Sequence, residues 1–199
     1  MNVVYQEVWP IQIVQPMVEV FPVPVVHPVI IPNPAPVMFP VFDPSLYAQQ
    51  SIKRVWIVSY SWPPVANGDP VARAVLEQHS PQTIEPKHTV HCEFWRPPPP
   101  AMCAEVSGIS RRIQDWLRGH EPRARREVRE AANIIIDQWC RGNNDVVIHT
   151  CCIAGTHRSV AAAEMISRKL QEKMARNGDA NYSIVVNHAH RQRQPLDPY

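Results

Sequence analysis

The chain has no run of about 18 consecutive apolar residues, so a membrane-spanning helix is not expected. No basic segment followed by an unbroken apolar stretch stands at its start, so no signal peptide is expected either. Charge of neither sign is in excess. Twenty Lys and Arg against 18 Asp and Glu leave a formal +2, too little to announce nucleic-acid binding through bulk electrostatics. Cysteines are few and odd in number, five, and Cys151 and Cys152 are adjacent. That is a poor disulfide framework and points to a reducing compartment, the cytoplasm or the nucleus. No internal repeat at a fixed period is visible.

Proline, by contrast, is abundant at 22 residues. From Pro10 to Pro44 it recurs every few residues with valine and isoleucine between. Each proline removes a ladder donor and fixes φ, which disfavours helix and central strand alike. Residues 1–50 therefore read as a Pro/Val-rich extended or disordered arm, able to lie along a surface or dock a protein partner. Residues 51–193 read as one α/β domain and 194–199 as a polar tail.

Within the domain, Arg54–Tyr60 predicts a first strand, nearly all apolar as in a sheet covered on both faces. The stretch from Ser61 to Pro70 predicts a loop, and Asp69-Pro70 a helix cap and first position. Val71, Val75 and Leu76 are expected on that helix's apolar side. His88–Trp95 predicts a second strand, stopped by Arg96 and four prolines. One helix is expected after Ser107-Gly108, with Ile109, Ile113, Trp116 and Leu117 on one side. Another opens at Pro122, with Val128, Ala132, Ile135 and Trp139 at spacings of four, three and four. Val146–Cys151 predicts the third strand and Tyr182–Val186 the fourth; between them His157–Arg176 predicts a helix with Val160, Ala163, Ile166 or Ser167, Leu170 and Met174 along its inner face, ended by Asn177-Gly178. Alternating short apolar strands and helices predict an α/β fold: a small, mainly parallel sheet with helices on both faces.

Ligands of such sheets bind beyond the carboxyl ends of the strands. The stretch there is Val146–Glu164, VVIHTCCIAGTHRSVAAAE. A strand that turns sharply into a helix leaves backbone N–H groups free, and with the helix dipole they favour an anion, most often phosphate. Arg158 adds a planar fork suited to two phosphate oxygens. The loops after the other strands offer Asp69, Arg96, His188, His190 and Arg191.

The loop has the form C-x-x-G-x-H-R-S-V, here Cys152, Gly155, His157, Arg158, Ser159 and Val160. A His-Arg pair follows the next strand as His190-Arg191, and an F-x-x-P-P run stands upstream as Phe94 to Pro98. Over roughly residues 54–193 the chain resembles the C-terminal domain of the RNase adapter RapZ family. The resemblance implies a non-enzymatic adaptor module that binds a sugar phosphate and, in bacterial members, regulatory RNA and a ribonuclease. It implies ligand contacts from Cys152, Gly155, Thr156, His157, Arg158, Ser159, His190 and Arg191. The family's kinase-like half is not carried over, since no G-x-x-x-x-G-K-[ST] occurs, and neither ATP nor any other cofactor is expected. The chain departs from the family's pattern in three places. Cys152-Ile153-Ala154-Gly155 stands for Cys-Thr-Gly-Gly, His91 and Glu93 fall near the second strand's Asp and Arg, and Pro97-Pro98 replaces Asn-Pro.

The same residues spell C-x-A-G-x-x-R-S, which resembles the phosphate loop of cysteine-dependent phosphatases. In that alternative Cys152 is the nucleophile, Arg158 holds the phosphoryl oxygens and Asp69 is the general acid. Asp145 is excluded as the acid: seven residues before Cys152 on one strand, it stands at the wrong sheet end. Cys151 reads as a small buried strand-end residue. His188-x-His190 lacks a second ligand pair, so no metal site is expected. Trp56, Trp62, Trp95, Trp116 and Trp139 read as packing residues. The arginines from Arg111 to Arg129 read as a solvated helix face, with RNA or another phosphate backbone as the alternative.

Overall fold

The computed structural model describes residues 52–199. The Pro/Val-rich arm, residues 1–50, lies outside the described residues. The expected apolar runs become four strands: β1 Lys53–Ser61, β2 Pro86–His91, β3 Asp145–Cys152 and β4 Tyr182–His188. They form one sheet in the order β2-β3-β1-β4 with every pair parallel. Val55, Ile57, Val58, Val146, Val147 and Ile148 are all fully buried. Burial of the central strands on both faces is why their sequences are continuous rather than alternating.

The described residues form six helices: α1 Trp62–Ala66, α2 Pro70–His79, α3 Pro100–Glu105, α4 Arg111–His120, α5 Pro122–Cys140 and α6 Arg158–Asn177. Of the residues expected inside α4 to α6, all but the partly buried Trp116 are buried. Ile113, Leu117, Val128, Ile135, Trp139, Ala163, Ile166, Leu170 and Met174 join one core with Val55, Ile57, Val146 and Ile148, and Ala132 and Val160 are buried as well. α2 packs on β1. The predicted caps form as well. The Asp69 carboxylate accepts from the N–H groups of Val71 (2.9 Å) and Ala72 (3.2 Å). Gly178 closes α6 with φ +67°.

Several expectations need correction. The Ser61–Pro70 loop contains α1, because Pro63 falls in a first turn that needs no donor from it. β2 ends at His91, and Cys92–Phe94 curl into a 3-10 turn rather than extending the strand. The proline run after Arg96, read only as a stop, leads into α3, again with proline in the first turn. On α2 the buried residue is Ala72, while Val71 is 71% exposed. Trp95 and Trp139 are core residues, but Trp62 is exposed, and Trp116 stacks on His120 at 4.9 Å. The polar tail is docked: Asp197 is buried and accepts from the Ser107 N–H at 2.7 Å. No helix among the described residues is long and apolar enough to cross a membrane.

Candidate functional site: the carboxyl edge of the sheet

Strand register determines what meets at the edge. His91 of β2, Cys151 of β3 and Tyr60 of β1 are partners in one row, and partners in a parallel sheet share a face. Cys151 and Cys152 therefore point to opposite faces. Cys152 joins the core beneath α6, where its Sγ lies 3.1 Å from the Ser159 hydroxyl. Cys151 faces His91.

The loop from Ile153 to His157 carries the chain from β3 into α6. The Ser61 hydroxyl tethers it to β1 by donating to the Ile153 carbonyl at 2.6 Å. Gly155 turns the loop at φ +69°, and a Cβ there would lie 2.9 Å from the Ser61 nitrogen and 3.0 Å from the His190 Cβ. Only glycine satisfies both the angle and the approach. The Thr156 hydroxyl accepts from the Gln192 N–H at 3.2 Å, and its carbonyl accepts from the Gly108 N–H at 3.0 Å. The loop is thus held by β1, by the segment after β4 and by the turn before α4. Among the described residues, the N–H groups from Ala154 to Val160 have no hydrogen-bond acceptor. The α6 cap residue His157 makes no side-chain cap bond. It donates from Nε2 to the Cys103 carbonyl at 3.0 Å, and burial holds its imidazole below the usual range.

Arg158 is half-buried. Its Nη1 donates to the carbonyls of Glu93 (2.8 Å) and Trp95 (2.7 Å). One corner of the guanidinium therefore clamps the turn after β2. Its Nε and Nη2 form no hydrogen bond among the described residues.

The remaining expected residues divide. His190 lies against the loop, but both ring nitrogens are in use: Nδ1 accepts from the Ser61 N–H at 3.0 Å and Nε2 donates to the Ala72 carbonyl at 3.1 Å. Arg191 donates to the Tyr199 carbonyl at 2.8 Å and lies over that ring. Asp69 is the α2 cap. His188 bridges the Ser59 hydroxyl (2.8 Å) and the Glu164 carboxylate (3.2 Å) across the sheet face beneath α6.

His91 and Glu93, marked in the sequence only as departures from the family's pattern, gather beside Cys151. His91 Nδ1 lies 2.8 Å from Glu93 Oε1, and Cys151 Sγ lies 3.6 Å from both His91 Nδ1 and Glu93 Oε2. Burial, then the Glu93 carboxylate, pushes the Cys151 thiol up to about 12. Trp62 meets His91 edge-on at 5.1 Å between ring centroids. Two residues back, His149 packs against Tyr60, and burial pulls its imidazole down to about 4. No local pattern marks this group, because strand register and the 3-10 turn assemble it.

A parallel four-stranded α/β domain that opens a long helix from a glycine-turned loop at the carboxyl edge is the class defined by this fold and site. The chain belongs to the RapZ C-terminal domain family, whose family model matches residues 84–192, more than half of its length. The match begins after α2, so β1, the strand between β3 and β4, lies ahead of the matched segment. No curated protein matches the chain.

Proposed function

We propose that the domain is a non-enzymatic module that binds a phosphorylated small molecule at Cys152–Ser159, with a sugar phosphate as the expected class. The observation that carries this reading is the run of unsatisfied N–H groups from Ala154 to Val160, at the positive end of a 20-residue helix. Arg158 supports it. A guanidinium held at Nη1 by two carbonyls is already immobilised, so binding an anion through Nε and Nη2 costs little further side-chain entropy. The sugar-phosphate class is what the resemblance to the RapZ family implies. In this reading His190 acts through Gly155, by supporting the loop rather than touching the ligand.

The test is a thermal-shift screen of the full chain against inorganic phosphate, sugar phosphates and nucleotides. A ligand at 100 times its Kd stabilises by about 2.7 kcal/mol, enough for a clear rise in Tm. Arg158→Ala is expected to remove the rise. No rise with any phosphate, or a rise unchanged in Arg158→Ala, would count against the reading.

One observation favours the hydrolase alternative, the contact between Cys152 Sγ and the Ser159 hydroxyl. Against it, Asp69, the acid that chemistry requires, is engaged as a helix cap. Turnover of an aryl phosphate by the same protein, lost in Cys152→Ser, would reassign the site to catalysis.

A second ligand class has its own observation. Arg111, Arg118, Arg125, Arg129, Arg168 and Lys169 line a cleft of about 250 Å³ on α4, α5 and α6. Cations gathered from three helices form a surface suited to an RNA backbone.

A further inference from the structure

We propose that His91, Glu93 and Cys151 form a binding site for one divalent transition-metal ion of the zinc class, with a fourth position open to solvent. The first support is convergence. In a proton relay a histidine meets its two partners through different ring nitrogens. Here Glu93 and Cys151 both approach Nδ1, and the carboxylate turns Oε1 to the nitrogen and Oε2 to the sulfur, so the three side chains close a ring rather than form a chain, with one ligand atom of each within 4.8 Å of the others. The second is spacing. Zinc bonds of about 2.0 Å to nitrogen or oxygen and about 2.3 Å to sulfur, at tetrahedral angles, separate sulfur from either by about 3.5 Å. The sulfur stands 3.6 Å from both partners. The nitrogen lies 2.8 Å from Oε1, the other carboxylate oxygen, and this pair needs to open by about 0.5 Å, replacing its hydrogen bond, for one carboxylate oxygen to share an ion with both the nitrogen and the sulfur.

The third support is donor chemistry. Imidazole, carboxylate and thiolate together suit zinc and its neighbours rather than magnesium or calcium, which take oxygen. The fourth is access. The His91 side chain is 40% exposed and that of Glu93 13%, while Cys151 is fully buried. The sulfur is shielded from competing oxidants, and the ion can enter from the histidine side.

The ligands are also held. His91 and Cys151 are register partners on β2 and β3. Glu93 is pinned through its carbonyl by Arg158. Metal binding displaces the thiol proton, so affinity rises with pH. The proposal does not rest on anion binding at the neighbouring loop.

The experiment is a titration of the reduced full chain with Co²⁺ in phosphate-free buffer, followed by displacement with Zn²⁺. The expected result is one bound equivalent with thiolate-to-cobalt charge-transfer absorption. Cys151→Ser abolishes that band, and His91→Ala and Glu93→Gln weaken binding by at least about tenfold. Cys140→Ser, at an exposed cysteine at the end of α5 and outside the cluster, leaves the titration unchanged. No band, or a band that survives Cys151→Ser, overturns the proposal. If Cys151→Ser fails to fold, Glu93→Gln decides: native circular dichroism with unchanged Co²⁺ affinity is equally fatal.

Discussion

His149 shows how far a residue's neighbourhood can move it from its ordinary chemistry. Packed against Tyr60 and half-buried, its imidazole titrates near 4 instead of 6.5, and burial is the cause. In the unfolded chain it takes up a proton near 6.5, whereas the folded protein resists protonation until near 4. Between those values the unfolded state binds more protons. Stability is therefore full above 6.5 and falls as pH drops toward 4, by up to roughly 2–3 kcal/mol. Urea unfolding at about pH 7 and about pH 4.5 should show this fall, and His149→Gln should flatten it. An equal fall in the variant would place the acid sensitivity elsewhere. Nothing local in the sequence marks His149 for this behaviour, since its partner stands on another strand.

At the scale of the element, helix ends decide the geometry of the loop. Gly108, in the turn before α4, lies flat against the start of α6: a Cβ there would come within 2.1 Å of the His157 carbonyl oxygen and 2.4 Å of the Ala161 nitrogen. Backbone cannot yield to that contact. Gly108→Ala should cost at least the upper part of the 1–3 kcal/mol range usual for overpacking, roughly 3 kcal/mol. Gly119 is the opposite case, because it sits inside α4 with nothing within 4 Å of an added Cβ. Gly119→Ala should stabilise by up to about 1 kcal/mol. Thermal or urea unfolding of the two variants checks both signs. Caps and amphipathic faces were legible beforehand, as Asp69, Gly178 and the α5 stripe show. Proline misled at α1 and α3, where it reads as a breaker but stands in the first turn.

Across the whole molecule, the sheet sends its loops to one edge, while α4, α5 and α6 place the cationic cleft on their outer surface. If RNA binds that cleft, affinity should fall steeply with salt. Arg125→Glu with Arg129→Glu should lower the log–log salt slope for a short single strand by roughly 0.7 per lost phosphate contact. Filter binding over a salt series measures it. An unchanged slope would show that RNA, if bound at all, lies elsewhere. The double variant should leave any sugar-phosphate thermal shift intact, because the Cys152–Ser159 loop is built from other residues.

The amino-acid order by itself determined the strand–helix alternation, the parallel class and the position of the glycine–His-Arg-Ser loop. These depend on periodicity, caps and turn residues within short windows. Only the tertiary structure decided that Arg158 grips the carbonyls of Glu93 and Trp95, and that His190 supports Gly155. It alone brought Cys151 beside His91 and Glu93, some 60 residues away in sequence. Those contacts follow from strand register and loop packing, which depend on distant segments meeting and leave no trace in any local pattern.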